Sequence, residues 1–320
     1  MKKTLFRLVL AAPLFLSLAA NAQLKPSHFP QDAEWMVQLD IKALLESPTR
    51  KFIEGFLDEN AQRSLAAFQV MSGINPTNDL DTVVLFGKGD VQKADGGVLY
   101  AYGRFDAKRL TTLAGGAKEF SNVAVGERSL LSWLDNDQRT YACFIDPTMV
   151  VMSKNEEQIK QALKAIDGKE ASTGGSFAKV LERRKGRFLA AQANKMTQLS
   201  SAAPQLAMLG DAEALQLELA QLTEGNGLLV SLAVKAANAE KAKELFQTAL
   251  GLKALVSMQA QQNPEVAQFA QNLDITSQDA FVTVNLKLPE ALLRQTIEAR
   301  VGTPAAKPAA GQEKPARPDF

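Results

Sequence analysis

The chain has 320 residues, of which 36 are basic, 35 acidic and 46% hydrophobic, with one cysteine and one histidine. A single cysteine excludes an intramolecular disulfide, and a single histidine excludes zinc sites built on several histidines. The near balance of charge gives no electrostatic reason to expect nucleic acid as a partner.

Residues 1–22 read as a secretory signal. Lys2, Lys3 and Arg7 form a positive n-region, residues 8–18 an apolar run, and Ala20-Asn21-Ala22 a small-residue cleavage site before Gln23. A membrane anchor needs about 20 apolar residues, and no later stretch approaches that length, so the sequence predicts a periplasmic or secreted protein without a transmembrane segment. No cysteine stands at the cleavage point to carry a lipid. Cleavage leaves 298 residues with 33 basic and 35 acidic side chains, a net charge of −2. At about 150 residues per domain, that length sets an expectation of two units.

After an arm holding Pro26, His28 and Pro30, residues 35–40 read as a strand whose Asp40 caps a helix. Ser47-Pro48 reads as a further cap with proline at the first helical position. A helical pattern then runs to Gly73 and breaks at Asn75-Pro76. Residues 81–87 and 97–104 predict paired strands joined by a Gly/Asp-rich connection. The glycines there match neither phosphate-loop spacing, and a strand follows instead of a helix. Asp106 caps a helix, and 120–125 is another strand.

The stretch 129–168 is the most explicit. Residues 129–134 and 141–145 form a hairpin around Asp135-Asn136-Asp137, and Asp146-Pro147 turns into a short strand at 149–152. Ser153 with Glu156 reads as a capping box opening a helix with Ile159, Leu163 and Ile166 on one face, ended by Gly168. Cys143 lies among Tyr141, Phe144 and Ile145 and reads as a small buried hydrophobe.

Residues 169–187 read as a linker whose basic run 182–187 is a solvated connection. The second half then repeats the first weakly: a strand at 188–193, helical material at 196–208, paired strands at 214–222 and 227–235, and Asn238 capping a helix where Asp106 capped its counterpart. That helix is long, reaching about residue 262, and Asn263-Pro264 restarts it to Gln271. Residues 273–276 and 280–288 are strands, and a last helix starts at Pro289. From 301 the chain is an Ala/Pro/Lys tail expected to be disordered.

The carboxylates have structural explanations. Asp135 and Asp137 sit in a turn lacking the glycine and distal glutamate of a calcium loop. Glu156 and Glu157 complement a helix dipole, and Ser231 and Ser257 lack a nucleophile-elbow setting. Pro30-x-Asp32-Ala33 with Asp40, the phrase Gly103-Arg104-Phe105-Asp106, and Val150-Val151-Met152-Ser153 leading to Gln161-Ala162-Leu163 resemble uncharacterised exported proteins of planctomycete-type bacteria. The resemblance implies an exported two-part α+β protein and brings no catalytic residues.

The expectation is therefore an α+β fold of two weakly repeated units, 23–168 and 188–300, each an antiparallel sheet covered by helices. Its function is that of a non-enzymatic binding or interaction protein of the cell envelope, with no cofactor and no metal. A carboxylate-based hydrolase and a purely structural envelope component are the alternatives. The partner is an unknown protein or an apolar ligand. Leu206, Met208, Leu255, Met258 and Phe269 are the candidate binding residues, because the helices carry more apolar side chains than one stripe needs. Core packing against the strands of the second half is the simpler account of them, and an apolar groove for a lipid or a partner helix is the functional one.

Overall fold

The computed structural model describes residues 24–50, 59–89, 97–135, 137–172, 175–194, 212–224, 226–261 and 264–301. The signal, the tail beyond 301, and the helical readings within 51–58 and 195–211 lie outside them. A 3₁₀ turn (Pro26–His28) precedes β1 (Trp35–Asp40), α1 (Ile41–Glu46), α2 (Glu59–Ser72), α3 (Pro76–Asp79), β2 (Leu80–Gly87) and β3 (Gly97–Gly103). There follow α4 (Ala107–Gly115), β4 (Ser121–Val125), β5 (Arg128–Asp135), β6 (Gln138–Asp146), β7 (Met149–Ser153), α5 (Glu156–Ile166) and α6 (Ala178–Leu181). The remainder is β8 (Arg187–Ala193), β9 (Ala212–Gln221), β10 (Gly227–Ala236), α7 (Ala239–Gln259), α8 (Pro264–Gln271), β11 (Leu273–Gln278), β12 (Phe281–Pro289) and α9 (Glu290–Val301).

The fold is α+β. Among the described residues, twelve strands form one sheet in the order β11-β12-β10-β9-β8-β1-β2-β3-β7-β6-β5-β4. Its neighbours pair antiparallel throughout, and β1 meets β8 with Trp35 opposite Ala193 and Leu39 opposite Leu189.

Strand registers decide which side chains share a face, because neighbours alternate. Met36, Val84, Phe86, Val98, Tyr100, Val151, Cys143 and Leu130 fall on one face and form the main core. Ile159, Ala162 and Leu163 of α5, Phe29 beside the 3₁₀ turn, and Phe177, Val180 and Leu181 around α6 cover them. Phe29, Phe86 and Tyr100 pack ring to ring at 4.8–5.2 Å between centroids. On the opposite face Ala101, Phe105 and Val150 form a smaller cluster with Leu99, Met152, Phe144 and Leu110 of α4.

In the second half the apolar side changes. Leu215, Leu217 and Leu219 of β9 lie across from Val234, Leu232 and Val230 of β10, which face Val282, Val284 and Leu286 of β12. This aliphatic surface continues the face of Leu99 and Ala101. The reverse side carries Gln216, Glu218, Ser231, Lys235, Asn285 and Lys287, and no described helix of the second half packs there. A sheet covered on one side leaves more of itself half-buried, as β9–β12 are.

Local chemistry sets the helix starts. Asp40, Asp106 and Asn238 accept from the backbone N–H groups of Ala43, Arg109 and Lys241 at 2.9–3.0 Å, the N-cap arrangement that spacing predicts. One cap reading is corrected. α5 is capped by Asn155, which accepts from Glu157 and Gln158. Ser153 is still paired in β7, and its hydroxyl donates to Gly97 O at 2.9 Å. Ser47 closes α1, donating its hydroxyl to Leu44 O at 2.8 Å, and the helix that Ser47-Pro48 reads as opening falls mostly outside the described residues. Asp137 turns the β5–β6 hairpin with φ of 62°, and Gly168 leaves α5 with φ of 68°. Gly103 is required by proximity, since a Cβ there would stand 2.0 Å from Asp79 O.

The basic run is not a solvated connection throughout. Arg187 is buried as the first residue of β8, and its guanidinium donates to the carbonyls of Lys179 (2.7 Å), Val180 (3.0 Å) and Glu182 and to Glu218 (3.1 Å). A guanidinium taken out of water needs such partners. Burial is the leading reason its pKa falls.

Candidate functional site

The helix α7 combines two surfaces. Ala242, Leu245, Phe246, Ala249, Lys253, Val256 and Ala260 form one stripe at helical spacing and are buried or half-buried. At its start this stripe meets Ala236, Val282 and Ile275. Farther on, Lys253 donates to Leu273 O at 2.6 Å, tying the helix to β11. The outward side begins polar, with Glu240, Lys241, Lys243, Glu244, Gln247 and Thr248. It then turns apolar: Leu250, Leu252, Leu255 and Met258 are exposed, Met258 at 65%. These four side chains stand outside the stripe that anchors the helix.

The candidate residues therefore divide. Leu255 and Met258 stand three apart on the outward side of α7. Phe269 of α8 is half-buried in a cluster with Leu288, Leu292, Leu293 and Leu286, where it packs α8 against α9 and the sheet. Leu206 and Met208 lie outside the described residues. Sequence reasoning did not single out Leu65, Val70 and Met71 of α2, which are exposed, Val70 at 77%. They lie on the same broad face as α7, since Arg109 of α4 donates to Val70 O at 3.1 Å and α4 packs on Leu99 and Ala101. Residues 62–67 and 69–71 of that helix are all exposed, so no buried stripe in the described part of α2 set these three apart.

The titratable groups are placed as follows. Cys143 is buried in the main core, and desolvation pushes its thiol up to about 11. Such a thiol is protonated and poorly nucleophilic at neutral pH. Tyr100 and Tyr102 are raised by burial first, and Tyr100 donates to His28 O at 2.8 Å. Burial, then the charges of Lys25 and Arg128, lowers His28. Glu156 bonds Lys160 at 2.8 Å, which leads in holding its carboxyl below the usual range. No cluster of three or more metal-ligating side chains occurs among the described residues.

Among the described residues, cavities open where strands of the sheet begin or end. One, of about 210 Å³, is lined by Asp32, Lys88, Phe86 and Gln158, with Asp32 and Lys88 paired at 3.6 Å. Another, about 520 Å³, lies between α1 and the segment entering β8. No described helix is long and apolar enough to cross a membrane.

The described architecture defines an α+β protein built on one extended antiparallel sheet. Among solved structures, crystal form III of the treponemal protein TP0453 matches with a TM-score of 0.52 at 11% identity, covering 83% of this chain and 94% of that one. Crystal form IV of TP0453 matches at 0.50 and 11% identity, over 86% and 97% of the two chains. At that identity the likeness is one of fold. No protein-family model and no curated protein matches the chain.

Proposed function

We propose that this is an exported, non-enzymatic binding protein whose second half offers an apolar helical surface to an apolar ligand. One observation carries the reading: Leu250, Leu252, Leu255 and Met258 stay exposed on α7 although its inner stripe already anchors it. Burying a leucine or methionine fully stabilises by about 1.5–3 kcal/mol. A bound apolar species recovers part of that for each of the four, and clustered exposure of this kind marks binding surfaces. Methionine's flexible side chain suits varied occupants. Export rests on residues 1–22, with a periplasmic or secreted location, and the likeness to planctomycete-type exported proteins agrees with it.

The same proposal includes two related units, 23–168 and 188–300, joined by 169–187. Supporting it, β1-β2-β3-β7 and β8-β9-β10-β12 repeat one order: three successive strands, then the last strand returning beside the third. A helix capped by Asp106 or Asn238 follows the third strand in each. The repeat departs at its end, where α5 covers one face of the sheet and α9 the other.

Native mass spectrometry of gently purified protein tests the binding role. A bound apolar species, lost in Met258→Asp and Leu255→Asp variants that remain folded, supports it. Ligand-free protein that also takes up no fatty acid or apolar dye sinks it, while displacement of the ligand by an added helical peptide identifies a partner helix as occupant. Intact mass from the native host, with Gln23 at the N-terminus, tests export.

A further inference from the structure

The segment entering β8 is held by several hydrogen bonds and ion pairs and lines a cleft. Arg187 is buried against three carbonyls and Glu218, Arg184 pairs with the same Glu218, and Arg183 reaches Asp40 at 3.5 Å and Thr82 Oγ1 at 3.2 Å. Gly186, with φ of 79°, turns the chain so that its carbonyl accepts from Gln221 N at 2.8 Å. Across the cleft stands α1, and Lys42 and Lys185 both line the space of about 520 Å³. Neither lysine has an ion-pair partner among the described residues, and Glu46 is the one lining carboxylate without a cation there. On the cleft wall Gln221 accepts from Thr49 Oγ1 at 2.6 Å through its Oε1, while its Nε2 is buried without an acceptor. A buried amide donor left unpaired is the costly arrangement.

We propose that this cleft binds a phosphate-type oxyanion carried on an organic body. Two free ammonium groups, the Gln221 amide and the neighbouring Arg183 and Arg184 edges supply more donors than one carboxylate accepts, which suits the several oxygens of a phosphate. The volume exceeds what a bare ion fills and falls in the range of small-molecule sites. The phosphate belongs either to a soluble monoester or to a lipid headgroup. This site is separate from the apolar surface of α7, so either reading can fail alone.

The test is titration of the purified chain with glycerol 3-phosphate by calorimetry at low salt, beside co-sedimentation with vesicles of phosphatidylglycerol or of phosphatidylcholine alone. Saturable binding of the soluble ester, weakened at least tenfold in Lys42→Glu/Lys185→Glu but unchanged in Lys287→Glu, supports the site with a soluble ligand. Binding confined to phosphatidylglycerol vesicles and lost in the same double variant supports it with a lipid source. Gln221→Leu, which changes no charge, should weaken either by several-fold, with circular dichroism confirming the fold. Absence of binding in both arms, or equal loss in Lys287→Glu, overturns the proposal.

Discussion

Replacing Met258 with aspartate separates the two accounts of α7. Met258 is 65% exposed, so only about a third of its side chain is removed from water. Losing that burial costs about 0.5–1 kcal/mol when full burial is worth about 1.5–3. The weaker helix propensity of aspartate adds about 0.5 kcal/mol, and a negative charge in the last turn of Ala239–Gln259 opposes the helix dipole by about 0.3–1 kcal/mol. The total is about 2 kcal/mol, within the reach of a cooperative fold. The same replacement at Met36, fully buried in β1, puts a carboxylate into the main core and should prevent folding. Urea denaturation followed by the fluorescence of Trp35 and Trp133 gives both values. A loss above about 4 kcal/mol at Met258 would show that its side chain is core and remove the basis of the binding surface.

Cys143, buried and with its pKa at about 11, should resist an aromatic disulfide reagent in native protein at pH 8 and react fully in denaturant; rapid native reaction would contradict the burial. The lowered pKa of His28 means that the folded state disfavours imidazolium. Stability is therefore complete above the ordinary value of about 6.5 and falls as pH drops below it, levelling off beneath the folded pKa. The difference between urea midpoints at pH 7.5 and 5.5 should shrink in His28→Asn, and an unchanged difference would assign the effect to carboxylates. Arg187→Met removes the donor to three carbonyls and leaves Glu218 to Arg184, a loss of about 3 kcal/mol in the same assay. Asn155→Ala should cost about 1 kcal/mol as the cap of α5, while Ser153→Ala, which loses the bond to Gly97 O and the one accepted from Asn155 N, should leave the Glu157 and Gln158 amides protected from exchange because Asn155 still caps them.

What was legible in the sequence was local. The β5–β6–β7–α5 stretch announces itself because Asp135 to Asp137, Asp146-Pro147 and the glycine after the helix act within a few residues of where they stand. Asp40, Asp106 and Asn238 were readable as caps for the same reason. Ser153 misled because its place in β7 is set by Val98 and Tyr141, partners far away in sequence. The burial of Arg187 was hidden likewise: four basic residues in six look solvated until Glu218 and the α6 carbonyls are brought to them. For α7 the apolar excess was visible, but which leucines would be covered depended on how much of the helix the sheet could reach. Leu255 and Met258 stand exposed, while Phe269 lies half-buried against Leu288, Leu292 and Leu293.

The antiparallel seam between β1 and β8 has a consequence for the order in which the molecule is made. When Trp35–Asp40 leaves the ribosome its partner on one side, β2, follows about 40 residues later, but its other partner, Arg187–Ala193, emerges only after about 150 more residues. At synthesis rates of about 5–20 residues per second, the interval is on the order of 10 s. Throughout it the N-terminal strands present an open backbone edge able to pair with any neighbouring nascent chain. Slower elongation between Asp40 and Ala193 should therefore raise aggregation of this protein more than of one whose early strands close among themselves. A holdase that shields extended segments would be the helper its biogenesis needs.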